Sequence, residues 1–199
     1  MKKILSVISS ARSKASNSIR LQQEIIDKLQ ARYPESTVTV RDLVANKYPH
    51  LEESHLTAFY VQEENDSPEY RLARTHSEQA IREIEEADIL VIGVPIYNFS
   101  IPSALKAWID HIVRSRKTFT VVDGRPEGLV KNKKVYLAIA SGGVFSDGPY
   151  KAWDFTEPYL RHVLGFIGLT DITVFRAEGF SVPGVQDVAL QKGIESVAV

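Results

Sequence analysis

The sequence predicts a doubly wound α/β fold. Five parallel strands form one sheet with helices on both faces, and one hairpin is added, all within a single domain over residues 1–199. Three observations predict it. Short apolar runs alternate with stretches of helical period along the chain. The clearest run, Ala87 to Val94, is apolar nearly throughout, as a parallel strand covered on both faces must be. A helix follows each strand, which is the crossover that parallel neighbours need. At 199 residues the chain also lies within the size range of one domain, and it shows no repeat, low-complexity tract or linker.

The elements follow in order. Lys3 to Ile8 reads as the first strand, and Leu21, Ile25 and Leu29 mark a helix that ends at Tyr33-Pro34. Thr37 to Val40, alternating and β-branched, is the second strand. Residues 46–67 carry scattered polar residues and read as an inserted loop or short helices. A helix with Leu72, Ala80, Ile81 and Ile84 turned inward leads to the third strand, which Pro95 stops. The next helix begins near Pro102 and buries Leu105, Trp108, Ile109 and Ile112. Thr118 to Leu129 is hairpin-like, with Asp123-Gly124 as its turn. Val135 to Ile139 is the fourth strand, Tyr159 to Ile167 a helix, Ile172 to Phe175 the fifth strand, and a last helix runs from Val185 onward.

Composition narrows the chemistry. There is no cysteine, which excludes disulfides, thiolate nucleophiles and Cys-ligated metal or iron–sulfur centres. Redox chemistry in such a chain needs a bound cofactor. A formal net charge of −1 gives little steering toward nucleic acid or an anionic membrane, so neither is expected as a partner. The opening residues briefly resemble a secretory signal, but Ser6 and then Ser9, Ser10 and Arg12 break the apolar run, and a cytoplasmic location is expected. His50 and His55 have no helical ligand spacing and read as solvated loop residues. His111 and His162 read as ordinary surface or interface residues, and no metal site is expected.

In a doubly wound sheet the ligand sits beyond the carboxyl ends of the strands. After the first strand comes Ser9 to Ser18, a loop without glycine that opens a helix. A dinucleotide site wants Gly-x-Gly-x-x-Gly there. Hydroxyls and amides instead suit one terminal phosphate at a helix N-terminus, or they only cap the helix. After the third strand comes Pro95-Ile96-Tyr97-Asn98-Phe99, two aromatics and an amide between prolines, able to read and shield a planar heterocycle or to close the core. After the fourth comes Ala140-Ser141-Gly142-Gly143, where adjacent glycines let the chain lie flush against a flat ligand or make a tight turn.

These segments, with Leu105 to Asp110, Thr118-Phe119, Pro126 to Val130, Asp147-Gly148-Pro149 and Leu164 to Gly168, make the chain resemble the FMN-dependent NADH-azoreductase and NAD(P)H:quinone oxidoreductase family of the flavodoxin-like fold. The resemblance covers essentially the whole chain. It implies that Ser10, Ser16, Asn17 and Ser18 hold the FMN phosphate, that Pro95, Ile96, Tyr97, Asn98 and Phe99 bind the ring, and that Ala140, Ser141, Gly142 and Gly143 meet its pyrimidine end. It implies NADH or NADPH as co-substrate, quinones or azo compounds as acceptors, and a homodimer with shared sites in which Phe119 and Phe145 wall the substrate pocket. The hairpin's Phe119, Val121 and Val122 pack against the partner's site or fold back on their own subunit. No protein residue is assigned an acid–base role. Where the family reads Ser-Arg-Gly-Gly, this chain has Ala140-Ser141-Gly142-Gly143, which removes a charge-assisted contact and leaves the backbone contacts in place. The alternative function is a non-enzymatic electron carrier of the flavodoxin kind, against which the weak net charge and the hairpin argue. A third class, a hydrolase on an α/β sheet, is disfavoured by the lack of a Gly-x-Ser-x-Gly elbow.

Overall fold

The computed structural model describes residues 1–61 and 63–199, without the side chains of Lys14 and Glu63. Strands β1 (Lys3–Ile8), β2 (Thr37–Asp42), β3 (Ile89–Pro95), β6 (Lys134–Ser141) and β7 (Asp171–Glu178) form one sheet in the order β2-β1-β3-β6-β7. Every pairing in it is parallel. The remaining strands, β4 (Phe119–Val122) and β5 (Arg125–Gly128), make the separate antiparallel hairpin. Its turn residues Asp123 and Gly124 both have positive φ, 51° and 75°, as a two-residue hairpin turn requires.

Alternate residues of the central strands feed two cores. On one face Leu90, Ile92, Leu137 and Ile139 pack with α3 (Pro68–Glu86), α4 (Ser103–Ile112) and α5 (Glu157–Phe166). On the other, Ile89, Val91, Tyr136 and Ala138 pack with Leu21, Ile25 and Leu29 of α1 (Asn17–Arg32), beside α6 (Ala189–Glu195). The strand order reverses between β1 and β3, so the crevice for a ligand lies at their carboxyl ends. One side chain fixes α1 there. The buried Gln22 amide donates to Ser6 Oγ (3.0 Å), Val7 O (3.0 Å) and Val91 O (2.9 Å), tying the helix to β1 and β3 together. Gly93 makes the approach possible, since a Cβ on it would stand 2.4 Å from Gln22 Oε1. No described helix is long and apolar enough to cross a membrane.

Four expectations need correction. Leu72 is 76% exposed. At about 100° per residue it stands roughly 80° from Ala80 and opposite Ile81, off the buried stripe. His111 is fully buried and His55 nearly so. The inserted segment 46–67 contains α2 (Glu53–Tyr60), which packs against α3 and sets His55 and Phe59 on His111. His55 belongs to the helix start, where its Nδ1 accepts from Glu52 N at 3.1 Å. His111 meets the Pro49 carbonyl at 3.0 Å, and burial, joined by His55 and His76, pushes its pKa down. Finally, the last helix starts at Ala189, after a series of turns, and not at Val185.

Candidate functional site

The three segments singled out in the sequence converge at the crevice. Ser9 Oγ donates to Gly93 O at 2.6 Å, fastening the first loop to β3. Ser10 Oγ lies 3.3 Å from Tyr97 Oη, linking the first segment to the second. Ile96 N donates to Ala140 O at 2.8 Å, linking the second to the third. All three are therefore held in one register by the strands beneath them.

In the first segment Ser16 caps α1, accepting from Ile19 N at 3.4 Å, and its hydroxyl meets that of Ser18 at 3.0 Å. The capping reading is thus realised for Ser16. Both serines are buried, while Asn17 is half-buried at the helix start. No acidic residue lies in the first turn of α1, so nothing offsets the positive end of its dipole. Ser13, within the loop, adopts φ 48°, a left-handed conformation uncommon outside glycine.

The second segment is strained. Asn98 and Phe99 both have positive φ (49° and 69°), closing a turn in which Tyr97 and Ser100 exchange backbone hydrogen bonds of 3.0 and 3.1 Å. Asn tolerates this region, but Phe99 in it costs about 1–2 kcal/mol. Such strain clusters at functional sites. The turn leaves Phe99 48% exposed. Its ring meets Phe145 edge-on at 6.1 Å and Trp153 at 5.8 Å, and Trp153 in turn meets Tyr150 at 4.9 Å. An aromatic wall thus rises from two loops beside the crevice. The backbone N–H groups of Asn98, Phe99, Gly142 and Gly143 find no acceptor among the described residues. By contrast, the carbonyls of Gly142 and Gly143 are taken by Ser181 N and Gly179 N. Next to the turn a cavity of about 570 Å³ opens between the start of α4 and Tyr159, bordered by Asn98, Ser100 and Lys106.

The loop that bears Phe145, Tyr150 and Trp153 is anchored by a cluster that the sequence reading missed. Arg176 on β7 pairs with Asp154, with Glu157 at 2.5 Å and with Glu178 at 3.0 Å. Glu178 also accepts from Phe145 N (3.0 Å) and Ser146 N (3.3 Å), and Asp154 accepts from Thr156 N (2.9 Å) and Glu157 N (3.1 Å). Both ends of the aromatic loop are therefore fastened to one guanidinium. Burial pushes Glu157 up, but hydrogen bonds from Arg176 and Arg161 outweigh it and hold its carboxyl below the usual range. Ser141 turns its hydroxyl to Gly143 O at 2.8 Å. Across the β6–β7 pair it stands opposite Glu178, whose carboxylate is paired with Arg176.

Phe119 is not brought to this crevice within the chain. It packs on Phe166 at the carboxyl end of α5, with ring centroids 4.6 Å apart. That contact lies at the opposite edge of the sheet, because α5 runs antiparallel to the strands. Gly128 of the hairpin lies so close to the Ile167–Gly168 backbone that a Cβ would stand 2.2 Å from Gly168 N. The hairpin root therefore folds onto its own chain, while Val121 and Val122 at its far end are 60% and 49% exposed.

A parallel five-stranded sheet in this order, with hydroxyl-bearing, aromatic and glycine segments at its carboxyl edge, defines a protein of the flavodoxin-like fold, and the model of that family matches residues 2–198. The chain belongs to this family, and within it to the group of FMN-dependent NADH:quinone oxidoreductases. It is 49% identical over 182 residues to the FMN-dependent NADH:quinone oxidoreductase of Herminiimonas arsenicoxydans, covering 92% of this chain and 89% of that one. It is 42% identical over 198 residues to the enzyme of the same name from Beijerinckia indica subsp. indica, covering 100% and 98%. Among solved structures it is similar to an azoreductase from Bacillus anthracis str. Sterne, with a TM-score of 0.90 at 27% identity over 98% and 96% of the two chains.

Proposed function

We propose that this protein is an FMN-dependent oxidoreductase that takes reducing equivalents from NADH or NADPH and delivers them to quinones and azo compounds. The observation that carries the reading is the meeting of a glycine-free, hydroxyl-rich helix start with a strained aromatic turn at one crevice. The residues present fit FMN. The start of α1 offers free N–H groups, no acidic residue and the hydroxyl and amide set of Ser10, Ser16, Asn17 and Ser18 to a single terminal phosphate. Pro95 to Phe99 and Ala140 to Gly143 bring unpaired backbone donors and aromatic faces to a flat heterocycle.

When bound, FMN supplies the hydride-accepting and hydride-donating chemistry. The chain's own work is positioning. Backbone N–H groups of Asn98, Phe99, Gly142 and Gly143 orient the ring edge, and Phe99, Phe145 and Trp153 wall the adjacent space against water. Nicotinamide and acceptor occupy that space in turn. One cycle converts a quinone, one NADH and one proton to a hydroquinone and NAD⁺. Two cycles convert an azo compound, two NADH and two protons to two amines and two NAD⁺. The active form is a homodimer in which Phe119 from a second copy completes each pocket, a role supported by its distance from the crevice of its own chain and by the exposed valines beside it.

Chromatography of the cofactor released on denaturation tests this reading. FMN is expected. FAD, or a colourless protein that ignores added FMN, overturns it.

A further inference from the structure

A second cavity, about 1210 Å³, lies away from the crevice, between the end of α2, the outer face of α3 and the turn that follows α4. Among the described residues six cations border it, Arg71, Arg74, Arg82, Arg114, Arg116 and Lys117, against the carboxylates of Glu64, Asp66 and Glu78. A lining with this positive excess stands out on a chain whose formal net charge is −1. Arg82, Arg116 and Lys117 are exposed at its rim.

The floor is Arg114, only 4% exposed. Its guanidinium lies 4.0 Å over the Phe59 ring and, among the described residues, makes one hydrogen bond, Nη1 to Ser77 Oγ at 2.7 Å. Glu78 stands 3.9 Å from Nη1, too far to accept a hydrogen bond, and Nε has no partner among the described residues. Arg74 is different. It is satisfied by Asp66 at 2.7 Å and by Ala58 O at 3.1 Å. Burial pushes the Arg114 pKa down, with Glu78 opposing, yet a guanidinium stays charged at neutral pH. A buried cation whose donors are mostly left unused by the described residues is an unfinished site, because a planar fork of N–H groups is built for two oxygens of one oxyanion.

We propose that this cavity binds a phosphate-bearing small molecule, with one oxyanion seated on Arg114 and further negative charge met by Arg82, Arg116 and Lys117 at the rim. Phosphate fits better than a lone carboxylate, since several cations at different depths suit a ligand carrying more than one charge. The size of the cavity exceeds what inorganic phosphate fills, so the natural ligand carries more than the phosphate group. The site is separate from the flavin-phosphate loop and does not rest on the flavin reading.

Titration calorimetry with inorganic pyrophosphate on the purified protein tests it, in the presence and absence of saturating FMN. Saturable binding of one pyrophosphate per chain is expected, undisturbed by FMN. Arg114→Gln weakens it at least tenfold with flavin content unchanged. Because a buried substitution risks misfolding, the rim pair Arg82→Gln and Lys117→Gln serves as the second variant, with an expected weakening of several-fold and an unaltered circular dichroism spectrum. Displacement of pyrophosphate by FMN would place the anion in the α1 loop and overturn the proposal. So would the absence of saturable binding at millimolar pyrophosphate, or equal affinity in the wild type and in either folded variant.

Discussion

Replacing Arg176 by Met keeps the aliphatic stem and removes the charge that three carboxylates share. Asp154, Glu157 and Glu178 have side chains only 9%, 24% and 8% exposed, so none recovers full hydration when the guanidinium is lost. Breaking such a buried pair costs about 3–5 kcal/mol. The backbone donors retained by Asp154 and Glu178 place this case near the lower limit, at about 3 kcal/mol. For a chain of this length that corresponds to a fall in melting temperature of roughly 6–12 °C. The loss also frees the ends of the aromatic loop. Trp153 lies on that loop, whereas Trp108, the other tryptophan, is buried in the core, so acrylamide quenching should rise through Trp153 alone. The pH dependence has a definite sign. In the wild type Glu157 is held below the ordinary carboxylate range, so its contribution is present above the unfolded pKa and is lost as pH falls through the folded one. In Arg176→Met burial acts on Glu157 with only Arg161 opposing. The stability gap between variant and wild type therefore narrows as pH drops from 7 to 4. A variant within 1 kcal/mol of wild type at pH 7, with unchanged quenching, would refute the anchoring role.

Replacing Ser16 and Ser18 together by Ala should weaken FMN binding by about 1–3 kcal/mol if each hydroxyl meets the phosphate. Fluorescence titration reads this, and thermal stability should fall by about 1 kcal/mol from the lost cap on α1. Unaltered affinity with that same stability loss would leave Ser16 a capping residue only. Phe119→Ala should lower acceptor turnover while FMN stays bound, and sedimentation should show a dimer at micromolar concentration. A competent monomer, or unchanged kinetics toward both quinones and azo dyes, would sink the shared pocket. Double-reciprocal plots for nicotinamide and quinone should be parallel, since one space serves both, and intersecting lines would contradict alternate occupancy.

Much of the fold was legible because apolar periodicity reports burial directly. Ala87 to Val94, with no polar face, had to be central, and Leu105, Trp108, Ile109 and Ile112 had to face the sheet. The hairpin turn was legible too, since Asp123-Gly124 meets a local demand for positive φ. The three loops of the candidate site were found by the rule that ligands lie at carboxyl strand ends, a property of topology that the element order already carries.

Other features depended on which distant segments meet. Leu72 looks inward on hydrophobicity alone, but its angle around α3 turns it away from the sheet. The burial of His111 needed α2 to bring His55 and Phe59 onto it, and a polar insertion does not announce what it will cover. Arg176, Asp154, Glu157 and Glu178 are ordinary charges in sequence; they become the anchor of the aromatic loop only when β7 sets the arginine beside both loop ends. By itself, then, the sequence determined the sheet, its two cores and the class of site, because these follow from local period and from the chemistry of strand ends. The tertiary structure alone decided which charges are buried together, which aromatic rings meet and how far Phe119 lies from the crevice, because each is a contact between segments whose separation along the chain says nothing of their distance in space.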